Sequence, residues 1–161
     1  MQDCLDDLRA AVDSLAGDER DPVVVLGTLR FRMAPRMEAA GLQLGWEIDE
    51  HVPELTWLDP HKVLHLLCIV QEALTNAMRH SRASVVTMSV RNVAMGQGQD
   101  CVELAVSDNG VGLQTGSGGG HGLDNMHVRA KRLGGWLRID SGPSGCKVAL
   151  TLPVCLVGAT P

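Results

Sequence analysis

Gln71-Glu72-Ala73-Leu74-Thr75-Asn76-Ala77-Met78-Arg79-His80-Ser81 is the stretch on which the fold turns. It closes an apolar series, Val63, Leu67, Val70, Leu74 and Ala77, whose three-and-four spacing predicts an amphipathic helix. Asp59-Pro60 supplies the start, Asp59 as cap and Pro60 at the first helical position, where a missing N–H costs nothing. Beside that stripe, Glu72, Asn76, Arg79 and His80 stand at i, i+4, i+7 and i+8 and make one polar line. A solvated helix face would show the same line. A carboxylate and an amide one turn apart also offer two hard oxygen ligands. These are too few to cage a metal but suit Mg2+ that draws its other ligands from phosphate and water. Arg79 and His80 lie a turn further on, where phosphate charge would fall.

Working outward, Pro22 opens an upstream helix through Leu26, Leu29, Met33 and Met37, with Gly41 as its stop and Pro35 expected to kink or divide it. From Leu42 the period changes to two, Leu42, Leu44, Trp46 and Ile48 alternating with polar residues or glycine, which predicts a half-buried strand. Downstream, residues 85–93 and 101–107 read as strands joined into a hairpin by 94–99. Leu123, Met126, Ala130 and Leu133 mark a further helix, ended by Gly134-Gly135. Residues 136–140 and 146–152 form a second hairpin around Ser141-Gly142-Pro143-Ser144-Gly145. The order predicts an α+β two-layer sandwich: a mixed, mostly antiparallel sheet of about five strands covered on one face by about three helices. Hairpins, not βαβ crossovers, are expected to join the strands.

The whole chain fits one domain of 161 residues with 19 Asp+Glu against 14 Lys+Arg, a formal net charge of -5. That balance gives no diffuse positive field for a nucleic-acid backbone, so no direct nucleic-acid partner is expected. No apolar run approaches the roughly 20 residues that span a bilayer, and the start has no signal-peptide pattern. A cytoplasmic setting is expected. The five cysteines, Cys4, Cys68, Cys101, Cys146 and Cys155, contain no Cys-x-x-Cys pair. They read as reduced core residues, not as a disulfide framework or zinc site. The six histidines form no pattern for a protein-caged metal.

After the strand at 101–107 comes Asp108-Asn109-Gly110-Val111-Gly112-Leu113, which taken alone is a turn signal. Gly110, Gly112, Gly116, Gly118, Gly119, Gly120 and Gly122, however, crowd just ahead of a helix. Glycines admit close approach of backbone to a ligand, and a helix beginning near Gly122 points N–H groups at an anion. The inferred ligand is a nucleoside triphosphate. Gly-x-x-x-x-Gly-Lys-Ser/Thr is absent, so this is no P-loop, and Gly-x-Gly-x-x-Gly fits no register of 116–122, so a dinucleotide fingerprint fails too.

The run Gln71 to Ser81, then Asp108-Asn109-Gly110-Val111-Gly112-Leu113 and Gly120-His121-Gly122-Leu123, resembles the N, G1 and G2 boxes of sensor histidine kinases. Gly122-Leu123-Asp124-Asn125-Met126 with Arg129, Leu133-Gly134-Gly135 and the 141–145 turn is similar to the branch that pairs with LuxR-type (NarL-type) response regulators. The resemblance covers about residues 22–153 and implies the Bergerat fold of the GHKL superfamily, shared with gyrase-type ATPases and the large heat-shock chaperones. It implies ATP and Mg2+ as cofactors. Asn76 would coordinate Mg2+, with Glu72 assisting at the metal or polarising the nucleophile. Asp108 would accept a hydrogen bond from the adenine amino group, and Gly110 and Gly112 would shape the base pocket. Gly118, Gly119, Gly120, His121 and Gly122 would form the mobile lid, its N–H groups meeting the phosphates, with Arg79 and His80 adding positive charge and Leu123 contributing to the floor of the nucleotide pocket.

The resemblance further implies a protein-histidine kinase passing the γ-phosphoryl of Mg-ATP to a histidine, and from there to a response-regulator aspartate. In that branch the acceptor histidine precedes an acid, and none of His51, His61, His65, His80, His121 or His127 does. The expectation is that residues 1–17, with a seam of Leu5, Leu8, Val12 and Leu15, are the end of the dimerisation and histidine-phosphotransfer helix. Residues 18–155 are then the catalytic ATP-binding domain and 156–161 a loose tail. The partners implied are the kinase's own phosphotransfer domain and the response regulator, with dimerisation in the full-length protein, a largely monomeric fragment unable to autophosphorylate, and membrane attachment only through upstream segments. Two departures stand out: Val128 replaces the usual acid before Arg129, and Cys146 replaces the usual Thr or Ser. Two other readings use the same fold, an anti-sigma-type serine kinase and a non-catalytic module that senses nucleotide or binds a protein.

Overall fold

The computed structural model describes residues 8–10, 12–13, 20–113 and 120–156. Helix α1 (Pro22–Ala39) begins where Asp21 accepts the Val23 N–H at 2.8 Å, with Pro22 at the first helical position. It continues undivided through Pro35, against expectation. Pro35 is exposed and close to the C-terminal end, so one ladder bond is forgone and few turns depend on it. Leu42 N–H returns to the Met37 carbonyl and Gly41 N–H to that of Glu38, both at 2.9 Å, a Schellman closure that buries Leu42 beside Met37.

Strand β1 (Gln43–Ile48) follows, then a connection without periodicity that nonetheless buries Leu55 and Leu58 completely or nearly so. Helix α2 (Pro60–His80) is capped by Asp59, whose Oδ1 accepts the Lys62 N–H at 2.9 Å. Its stripe of Val63, Leu66, Leu67, Ile69, Val70, Ala73, Leu74 and Ala77 is buried. Strands β2 (Val85–Met95) and β3 (Gln99–Asp108) form the first hairpin, through a short 3-10 turn at Gly96–Gly98. They pair from Val86↔Asp108 to Met95↔Gln99, which makes them longer than periodicity suggested. Helix α3 (Gly120–Arg132), β4 (Trp136–Gly142) and β5 (Gly145–Pro153) complete the chain.

The five strands form one sheet in the order β1-β2-β3-β5-β4. All pairs are antiparallel except β1 with β2, which run parallel from Gln43↔Val85 to Ile48↔Val90. Here the expectation of hairpins alone is corrected: α2 is the crossover of a β1-α2-β2 unit. A helix of that length spans the return path that parallel strands require. β3 and β4 are likewise parallel to each other, with β5 between them. Alternate residues Val86, Met88, Val90, Val102, Leu104, Val106, Leu150 and Leu152 share one core with all three helices. The α+β sandwich with one covered face is therefore borne out. The other face carries charged pairs, Glu47 with Arg91 and Glu103 with Lys147, each at 2.7 Å.

Residues 8–10 and 12–13 are helical, and Leu8, 3% exposed, belongs to this same core. At that point the segment packs on the domain. The rest of the expected 1–17 helix, and the tail beyond 156, lie outside the described residues.

Candidate functional site

The cleft forms where the C-terminal half of α2 faces the ends of β3 and β5 and the start of α3. Helical spacing puts Ala73, Asn76, Ala77 and His80 on its rim, and Val106 and Val148 floor it from adjacent strands. Ser81, Asp108, Gly112, Leu113, Leu123 and Cys146 complete the lining. Counting its mouth, which opens to solvent, the cleft holds about 410 Å³ of atom-free space.

Asp108 ends β3, the middle strand of the sheet, opposite Val86 on one side and Cys146 on the other. Its Oδ1 accepts the Gly110 N–H at 2.8 Å, which fixes the carboxylate and leaves the other oxygen's acceptor capacity to a ligand. The segment that follows is stitched to its surroundings. Asn109 Oδ1 accepts the Ser84 and Val85 N–H groups, each at 3.0 Å, and Val111 N–H reaches the Ser81 carbonyl at 2.8 Å. Gly112 takes a left-handed φ of 74°, and a Cβ there would overlap the Gly142 carbonyl oxygen. No side chain fits at that position.

Glu72 lies against the first turn of α3: a Cβ on Gly122 would come within 2.5 Å of its Oε1. A carboxylate is favoured at a helix N-terminus, so the same placement serves α3 structurally. Further along the α2–α3 interface, Arg129 Nη1 lies 3.1 Å from His65 Nδ1. Burial, then the Arg129, Arg132 and His61 charges, hold the His65 imidazole below its ordinary value of 6.5, with Asp59 opposing. A neutral ring accepting from Arg129 fits those surroundings. Burial and then the Asp108 charge push the Cys146 thiol up; a Ser141 hydrogen bond opposes this and Asp140 adds to it.

Of the residues singled out by sequence, Asn76, His80, Asp108, Gly112 and Leu123 meet at the cleft, and Gly110 binds Asp108 beside it. Glu72 approaches from below α3 at Gly122. Arg79 and His121 are exposed and outside the lining, and Gly120 opens α3. Gly118 and Gly119 lie outside the described residues. Sequence reasoning missed Ser81, which is buried and donates its hydroxyl to the Ala77 carbonyl at 2.6 Å while its own carbonyl anchors Val111. A serine closing the polar line was the available signal. It also missed the part played by Ser141, whose Oγ accepts the Leu113 N–H at 2.7 Å.

The domain is thus a mixed sheet covered on one face by helices, with a cleft at the end of its central strand. The family model of histidine kinase-, DNA gyrase B- and HSP90-like ATPases (HATPase_c) matches residues 61–155, and the chain belongs to that family. Among curated relatives, the nitrate/nitrite sensor protein NarQ of Escherichia coli is 39% identical over 61% of this chain and 17% of its own. The sensor histidine kinase YxjM of Bacillus subtilis is 32% identical over 95% of this chain and 36% of its own. The signal transduction histidine-protein kinase/phosphatase UhpB of Salmonella typhimurium is 36% identical over 73% and 22%. The chain thus spans between about a sixth and about a third of these relatives. Among solved structures, the Acinetobacter baumannii histidine kinase AdeS aligns with a TM-score of 0.66 at 17% identity, over 94% of this chain and 76% of that one. Full-length ShkA in complex with AMPPNP aligns at 0.66 and 19%, over 93% and 35%. These likenesses show the fold. No described helix is long and apolar enough to cross a membrane.

Proposed function

We propose that this chain binds Mg-ATP in the α2–β3–β5–α3 cleft and serves as the catalytic ATP-binding part of a sensor histidine kinase, residues 18–155 forming that domain. The observation that carries the reading is the convergence of Asn76, Asp108 and Gly112, from a helix, a strand end and a loop, on one cleft. Asp108, held by the Gly110 N–H, accepts the exocyclic amino group of adenine. Guanine presents a carbonyl at that place and leaves two acceptors facing each other, so ATP is chosen over GTP.

The chain's donor set fits the magnesium salt of the nucleotide. Asn76 lines the cleft and Glu72 lies one helical turn before it, and both are hard oxygen ligands of the kind Mg2+ takes alongside phosphate and water. With Glu72 Oε1 against the start of α3, a triphosphate brought to that helix terminus meets a carboxylate. Glu72 and Asn76 would hold the divalent cation, whose charge would offset that repulsion. When bound, Mg-ATP supplies the electrophilic γ-phosphoryl group. The protein's share is positioning and charge: Asp108 sets the base, the α3 N-terminus and His80 attract phosphate, and Glu72 holds metal or polarises the nucleophile. Arg79, Gly118, Gly119, Gly120, His121 and Gly122 belong to the phosphate side in this reading. The phosphoryl acceptor is a histidine on a phosphotransfer helix, which hands the group to an aspartate of a LuxR/NarL-type response regulator. The kinase works as a cytoplasmic homodimer, attached to the membrane, where it is attached, through other segments.

Titration of the chain with ATP and GTP, with and without Mg2+, tests this beside Asp108→Asn. Mg-dependent binding of ATP over GTP, lost in the variant, is expected. Equal binding of GTP, or an unaffected D108N, would sink the base-reading role. Incubation with labelled ATP is expected to leave the chain alone unlabelled and to label an added histidine-phosphotransfer domain in an acid-labile bond. Tight ATP binding with no transfer would favour a nucleotide-sensing module.

A further inference from the structure

The turn at 141–145 has a second role beyond reversing the chain. Only Pro143 and Ser144 make the turn; Ser141 and Gly142 still belong to β4. Across the strands Ser141 is opposite Cys146, and Cys146 is opposite Asp108, so one row leads from Ser141 to the carboxylate at the cleft. Ser141 Oγ accepts the Leu113 N–H at 2.7 Å, which ties the wall of the cleft to β4.

The remaining anchors of segment 109–113 lie on the other side of the cleft. Asn109 is tied to Ser84 and Val85, Gly110 to Asp108, and Val111 to Ser81. Gly112 and Leu113 lean instead on β4: a Cβ on Gly112 would lie 2.8 Å from Ser141 Oγ. Leu113 lines the cleft yet is 39% exposed, so core packing does not hold it.

We propose that Ser141 is a positioning residue for the nucleotide cleft, its hydroxyl holding the Gly112-Leu113 wall against β4. The inference rests on the reading of the cleft as a nucleotide site. Without the hydroxyl the Leu113 N–H turns to water and the wall is no longer fixed, so binding must first order it. In Ser141→Ala the affinity for ATP in Mg2+ falls about fivefold, as for one lost hydrogen bond. In Ser141→Thr, which keeps the hydroxyl, it stays within about twofold of the parent. Nucleotide-free, both variants melt within roughly 2 °C of the parent, because the freed N–H is solvated. Parent-like ATP binding by S141A overturns the proposal, and so does S141T as weak as S141A, since shape and not the hydroxyl would then matter. D108N separates the two levels. If the parent binds ATP, D108N does not and S141A binds normally, only the positioning role falls. If the parent binds no nucleotide, the cleft reading falls and takes the positioning role with it.

Discussion

Gly145 carries a left-handed φ of 132°, and a Cβ there would overlap the Asp108 carbonyl oxygen and approach Asn109 Cα at 3.3 Å. The obstacles are backbone, which has nowhere to move without separating β5 from β3. Gly145→Ala is therefore expected to cost on the order of 2 kcal/mol or more, from the strained dihedral and the overlap together. Urea unfolding measures it, and a variant as stable as the parent would show that the strand end yields. At this scale sequence reading and structure met only in part. Asn76, His80 and Asp108 were legible because a polar residue in an otherwise apolar pattern announces itself. Ser81, Ser141 and Asn109 were not, because a serine or asparagine at an element end has the same local look whether it caps a turn or braces a distant loop. Arg79 lay on the same helical line as Asn76, yet it is exposed and outside the cleft lining. Helical spacing fixes a side chain's azimuth but not what stands opposite it.

Between elements, α2 and α3 meet through His65 and Arg129. Their contact carries a pH dependence of definite sign. Above about pH 6.5 the imidazole is neutral in both folded and unfolded chains and contributes none. As pH falls through that value the unfolded chain binds the proton first, because burial and the neighbouring guanidinium charges depress the folded value. Stability therefore drops, and the drop ends below the depressed folded value. His65→Gln keeps an acceptor for Arg129 without titrating. Its melting temperature is expected to fall less than the parent's between about pH 7 and pH 5. Parallel curves would remove His65 from the account. Most helices and strands were legible from periodicity and caps, as Asp59 on α2 and the glycine stops of α1 and α3 illustrate. The parallel β1–β2 pairing was not, because strand periodicity shows which face is buried and is silent on the direction of the neighbour.

For the whole molecule, the core extends beyond the region matched to the ATPase family, since Leu8 is 3% exposed and shares a cavity wall with Leu29 and Met33 of α1. Leu8→Ala is expected to destabilise the domain by about 2 kcal/mol or more, as truncation of a buried leucine does. A melting temperature unchanged from the parent would mean that the segment does not dock in solution. The sequence by itself determined the two-layer α+β plan, the long α2 with its polar line, and the family likeness. Each follows from short-range patterns: the helical repeat, alternation along strands, caps and glycine spacing. Only the tertiary structure decided that β1 runs parallel to β2, that Leu8, Leu55 and Leu58 join the core, and that Ser141 braces Leu113. Those outcomes depend on which surfaces meet across 28 to 100 or so residues of chain, as the Ser141–Leu113 and Trp57–Pro153 hydrogen bonds do at separations of 28 and 96. Packing energy selects such meetings, and no local propensity encodes them.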